Sequence, residues 1–248
     1  MKRCVNLQFA ICNLQFAIIS FYLLSSILPS RSVYADAPIA VPVEGRPFSG
    51  ELTSIDYKGQ IAFQAAGQKR QLPMSDLVAW GACPEPKRAP ILVLADGGLL
   101  AADVFTSDKD AFGVDSELFG RLKIPWDALA GAVFRLPPAL KDRDALFDRI
   151  ARAEGQSDRL LLDNGDEPAG LIEKIEEDAV KLKTNVAAVN VELGRVTAII
   201  FNPALRRKLP NDTARTWLGF SNGTRLSASG VRLDSSTLQL AVADQTWK

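Results

Sequence analysis

The chain contains no histidine. That excludes a Ser-His-Asp triad, because Ser221, Ser227 and Ser229 have no imidazole to activate them. It also excludes any histidine-ligated zinc or iron centre. Cysteine is scarce: Cys4, Cys12 and Cys83 only. The first two fall in an N-terminal leader argued below, which leaves Cys83 alone, too few for a thiolate cluster or an internal disulfide. Cys83 is read as a semi-buried small residue at the mouth of a Pro-rich connector, against a reactive thiol or an intermolecular bridge. A basic excess is missing too. Lys2, Arg3 and Arg31 precede the first acid, Asp36, so the remainder carries 26 basic against 29 acidic residues. A mildly acidic body has no electrostatic footprint for nucleic acid, and no basic run interleaves with aromatics. No cofactor, metal or nucleic-acid partner is expected.

The acid-free start has a layout of its own. Lys2 and Arg3 form a short basic region, Phe16 to Leu28 is apolar, and Pro29 to Ala35 ends in Val33-Tyr34-Ala35. Small residues at −3 and −1 place cleavage of a secretory signal after Ala35. The competing reading is an uncleaved anchor, the one route by which this chain would meet a membrane. Its apolar run is shorter than the ~20 residues a span needs. The hexapeptide Asn6 to Ile11 recurs at Asn13 to Ile18, a local duplication with no chemistry attached.

What the chain does have is internal repetition, which defines its folding unit. Asp96-Gly97 aligns with Asn164-Gly165 and Asn222-Gly223. The register then holds without a gap to Asp110-Ala111-Phe112, Asp178-Ala179-Val180 and Ser236-Thr237-Leu238. Short alternating runs bounded by Asn-Gly or Asp-Gly predict antiparallel strands joined by tight hairpins, with Asn-Gly suited to a type I′ turn. Each complete unit closes on a strand, a one-turn segment and a last apolar strand: Leu77 to Trp80, Leu129 to Phe134, Val196 to Phe201. The connector Ala82 to Pro90 reads as semi-rigid and exposed.

One segment breaks the pattern. Pro137-Pro138 opens it, Gly155 ends it, Asp142 comes early and Arg149 and Arg152 late, which predicts a helix from about Pro138 to Ala153. The expected organisation is a leader (1–35), a first β unit with its linker (36–89), a second unit (90–136), the helix (137–156), a third unit (157–205), and a linker with a partial fourth unit (206–248). That last unit, from Arg215, reaches Lys248 without the closing element.

The acidic cluster Asp163 to Glu167 fails the alternate-ligand spacing of an EF-hand and reads as a hairpin tip. Glu173, Glu176, Glu177 and Asp178 lack the separation across a cleft that a glycosidase pair requires, and read as a solvated loop. Trp80 and Trp126 are expected to pack between units. Trp217, Phe220, Leu238, Leu240 and Trp247 lie in the incomplete unit and are the candidate interaction surface, for a protein or an envelope polysaccharide. Asn211-Asp212-Thr213 and Asn222-Gly223-Thr224 match the glycosylation pattern and read as a loop and a turn.

The Asp-Gly or Asn-Gly turn, the small residue six positions on (Ala102, Gly170, Ala228) and the closing strand–turn–strand resemble the SH3-like barrel of the Sm-like group. At whole-chain level, the leader, Asp76 to Gly81, Leu94 to Leu100, the Pro-Pro-Ala-then-helix segment and Leu160 to Gly170 resemble the N-terminal β-rich region of secreted bacterial NPCBM-associated proteins. In those proteins the region precedes a carbohydrate-binding module, which is not visible here. The resemblance implies a mainly β fold: tandem small SH3-like/Sm-like barrels, three complete and one partial, with one connecting α-helix. The expected role is an exported, periplasmic or extracellular, non-enzymatic scaffold or binding module of the cell envelope. The alternative is the accessory region of a secreted carbohydrate-active hydrolase whose catalytic or carbohydrate-binding module is absent from this chain.

Overall fold

The computed structural model describes residues 5–6, 38–107, 111–208, 214–234 and 237–248. The expected leader and its cleavage site lie outside the described residues, Val5–Asn6 excepted. So does the glycosylation pattern at Asn211 to Thr213. The protein is mainly β with one α-helix, and among the described residues its strands form one eleven-stranded, one six-stranded and two three-stranded sheets. None of these sheets closes on itself.

The repeat is visible strand by strand. The second unit runs Ile91–Leu94, Leu99–Ala101, Asp103–Ser107, Ala111–Ser116, Gly120–Pro125, a 3-10 turn at Trp126–Ala128, then Leu129–Val133. The third runs Asp158–Leu162, Ala169–Ile175, Ala179–Lys183, Ala188–Glu192, a 3-10 turn at Leu193–Arg195, then Val196–Ile200. The first ends in the same way, with Gln68–Pro73, Met74–Asp76 and Leu77–Trp80. A bulge falls at the equivalent place in all three: between Leu52 and Ser54, Val104 and Thr106, and Ile172 and Lys174. An extra residue there bends the strand and lets it serve two sheets.

The turn chemistry repeats as well, but not as a type I′ turn. At Asp96-Gly97, Asn164-Gly165 and Asn222-Gly223 only the glycine has positive φ, at +86°, +88° and +86°. The preceding side-chain oxygen accepts the N–H two residues on, at 2.9, 3.1 and 3.0 Å. Leu94, Leu162 and Phe220 close these three-residue loops by donating their N–H to Gly98, Asp166 and Thr224. This is a type I turn followed by a left-handed glycine. The two-residue positive-φ turns sit instead at Ala66-Gly67 and Ala243-Asp244, which no Asn-Gly signal marks.

The units associate in nested pairs. The closing strands of the second and third units, Leu129–Val133 and Val196–Ile200, lie antiparallel side by side, each flanked by its own unit's opening strand, Ile91–Leu94 or Asp158–Leu162. The first unit pairs with the fourth: Leu233 of Gly230–Asp234 faces Ile55 of Glu51–Ile55, which joins the two units in the six-stranded sheet. The pairs are linked through Arg225, opposite Leu99.

The helix spans Leu140–Ala151, two residues shorter than expected at each end. Phe147 and Ile150 bury over the outer face of the closing strands, against Val93, Ala130, Val133, Ala198 and Ile200. Gly131 is required there: a Cβ would stand 2.2 Å from the Ile199 carbonyl and 2.6 Å from Ile150 Cγ2. Arg206 fastens the helix end. Its guanidinium donates to the carbonyls of Ala151 and Ile150 and to Ala130 in the sheet, each at 3.0 Å.

Candidate functional site

A groove of about 410 Å³ lies between the helix and the strand Thr216–Gly219. Phe147, Val93 and Leu99 supply apolar surface. Trp217 stands on the strand side, and Asp144 and Asp148 on the helix side. Cys83 and Arg225 complete it. Trp217 is half-buried, while Asp144 and Asp148 are exposed.

Each wall is fixed by identifiable contacts. The indole edge of Trp217 lies over Gly97, within 3.8 Å of where a Cβ would be. The strand that carries Trp217 starts beside a partly buried ion pair, Arg215 to Asp96 at 3.1 Å. Burial pushes the Asp96 carboxyl above its ordinary value, and this outweighs the Gly98 N–H bond and the Arg215 guanidinium. The connector, expected to be semi-rigid and exposed, exposes Ala82, Glu85, Lys87 and Arg88 but is pinned at Pro86. Pro86 is buried, and it lies 2.3 Å from where a Cβ on Gly223 would be. Its carbonyl accepts from Arg143 of the helix at 2.9 Å. Glu85 pairs with Arg225 at 2.7 Å.

These contacts bring Cys83 against Gly219, where a Cβ would meet its Sγ at 2.5 Å. Cys83 is a free thiol. Burial pushes it above its ordinary value, only partly offset by the Arg225 charge, so it stays protonated at neutral pH. Arg225 Nε is buried and makes no hydrogen bond within the protein.

Of the five residues expected to form an interaction surface, the structure keeps Trp217 and Leu238 partly accessible and corrects the other three. Phe220, Leu240 and Trp247 are 1%, 0% and 2% exposed. Phe220 and Trp247 are covered from the second unit, where Phe119 packs on Phe220 at 5.7 Å and on Trp247 at 5.4 Å. Leu240 lies between Val231 and Trp247 in the sheet. Trp126 does pack between units, against Phe201 of the third. Trp80 does not. It packs on Phe63 within its own unit and donates to the Gly50 carbonyl.

The other candidates disperse. Asn164 and Asp166 bond to each other at the hairpin tip, and Glu167 pairs with Arg149. Glu173 pairs with Lys181 and Glu176 with Lys174, while Glu177 and Asp178 line a separate shallow hollow with Arg135. Ser227 is buried in the core. Among the described residues no group of three or more His, Cys, Asp or Glu is placed to hold a metal, and no helix is long and apolar enough to cross a membrane. Sequence reasoning missed Asp144, Asp148, Phe147 and Arg225. The helix had only structural punctuation to read, and its approach to Thr216–Gly219 depends on contacts distant in sequence.

Comparison with protein-family models, curated proteins and solved structures returns no match.

Proposed function

We propose that this chain is an exported, non-enzymatic binding module of the cell envelope, and that the groove beside Trp217 takes a ring of an envelope polysaccharide. The observation that carries this reading is the combination in the groove itself. A half-buried indole faces two helix carboxylates across apolar surface. A sugar ring presents an apolar face to an indole and hydroxyls to carboxylates. Export follows from the basic–apolar–small leader, with cleavage after Ala35.

The absence of histidine and the dispersal of Glu173, Glu176 and Glu177 support binding over catalysis. The strand order of each complete unit, with a bulged second strand and a 3-10 turn before the last, supports reading the units as small, open SH3-like/Sm-like barrels. Together with the leader, it supports kinship with NPCBM-associated proteins.

Electrophoresis of the purified protein through gels containing envelope polysaccharide tests this. The protein should be retarded, and Trp217→Ala should migrate as in a blank gel. Equal migration of both proteins in every polysaccharide rejects the groove. N-terminal sequencing of protein from its host should begin at Asp36; Met1 rejects cleavage. A screen of chromogenic glycosides and esters should be blank. Turnover that is lost in Glu173→Gln or Glu177→Gln rejects the non-enzymatic reading.

A further inference from the structure

One strand position distinguishes the two pairs of units. In the second and third units, Val196–Ile200 lies between Asp158–Leu162 and Leu129–Val133. The equivalent position in the first and fourth units lies between Thr216–Gly219 and Leu77–Trp80. There the described residues hold only Val5–Asn6, parallel to Thr216–Gly219, with Val5 opposite Thr216 and Asn6 opposite Trp217. The Phe220 N–H donates to the Thr224 carbonyl at 2.9 Å. By antiparallel alternation, Leu218 then bonds to Leu226, and the N–H and C=O of Trp217 and Gly219 face this position. A strand edge of this kind is a template for another extended chain.

We infer that the position is a strand-acceptor site, and that cleavage of the leader opens it to an extended peptide of an envelope partner with apolar residues at alternate positions. This rests on the export reading above. Three observations choose the occupant. Val5–Asn6 is seated on the edge, so the edge pairs a strand. The strand that fills the equivalent position, Val196–Ile200, turns Val196 and Ile199 to the inner core and Ala198 and Ile200 to the outer one. The neighbours here are apolar on both faces. Leu218 and Leu77 lie inward, while half-buried Trp217 and Val78, which is 43% exposed, lie outward. Main-chain bonds would supply affinity and the two apolar faces register, as in strand addition generally.

The probe is a synthetic peptide with the sequence of residues 194–201, the chain's own strand for the equivalent position. It is titrated into the protein processed at Asp36 and into the full-length chain. Hydrogen exchange is followed at Trp217 and Gly219. The processed protein should bind one peptide, those amides should slow, and the full-length chain should bind at least tenfold more weakly. Absence of binding overturns the inference. Slow exchange in a peptide-free monomer also overturns it, because the edge would then be closed already. Slow exchange with a concentration-dependent dimer overturns it in favour of a second copy. If the host protein begins at Met1, the export reading fails separately. The site is then tested in full-length Val5→Pro/Asn6→Pro, which cannot pair at the edge. Peptide binding by that variant supports the acceptor site, and its absence rejects it.

Discussion

At the scale of single residues, backbone proximity and buried carboxylates decide what the sequence tolerates. A Cβ on Gly170 would stand 2.3 Å from the Lys183 carbonyl oxygen, so Gly170→Val forces two strands apart. It should cost about 1–3 kcal/mol, read from urea denaturation, and an unchanged midpoint contradicts the close approach. Asp158 accepts from the N–H groups of Ile172 at 2.7 Å and Asn202 at 2.8 Å. Asp158→Ala strands two partly buried donors and should cost about 1–3 kcal/mol for each that stays dry; a loss below the scatter of the melts rejects that role. Burial nevertheless pushes both Asp158 and Asp96 above the ordinary 3.8. A carboxyl raised in the folded state binds its proton more readily folded than unfolded. Its contribution to stability therefore grows as pH falls through the raised value and levels off below 3.8. Asp96→Asn keeps the turn, since Asn164 and Asn222 make the same bond in the other units. It should be at least as stable as the wild type at pH 7 and should flatten the rise on acidification. A less stable variant at pH 7 means that the Arg215 pair outweighs burial.

At the scale of elements, the sequence displayed the parts more clearly than their partners. The Asp-Gly and Asn-Gly register located three hairpins, and the Pro–Gly punctuation located the helix, because turns and caps are local. The turns differ from the expected type I′ because Asp96, Asn164 and Asn222 bond locally with negative φ and leave the left-handed position to glycine alone. Burial of Phe220 and Trp247 was not legible, because their cover, Phe119, is about a hundred residues away or more. The groove was legible only through Trp217, since its helix wall depends on Arg143 and Arg206 reaching the connector and the sheet. Arg206→Ala frees four carbonyls from a charged donor and should cost about 1.5–3 kcal/mol. It should also weaken ligand binding, because Phe147 and Asp148 ride on the helix it fastens. A variant that loses stability but binds as the wild type does separates the helix from the site.

At the scale of the whole molecule, the fourth unit is built into the body, not appended to it. Its hairpin extends the sheet of the first unit, and its aromatics pack on the second. Trp247→Ala should therefore cost about 3–5 kcal/mol and shift one cooperative transition. A separate early transition limited to the fourth unit contradicts this arrangement. The same docking sets Thr216–Gly219 opposite the helix and creates the groove, so fold and proposed function depend on one contact set. Calorimetric titration of a soluble envelope oligosaccharide into the wild type, Trp217→Ala and Tyr57→Ala tests that dependence most directly. Tyr57 is 78% exposed and does not line the groove. The account predicts that Trp217→Ala loses at least tenfold in affinity, about 1.4 kcal/mol, while Tyr57→Ala binds as the wild type does. Equal affinities in all three proteins, or the loss falling on Tyr57→Ala, would contradict it.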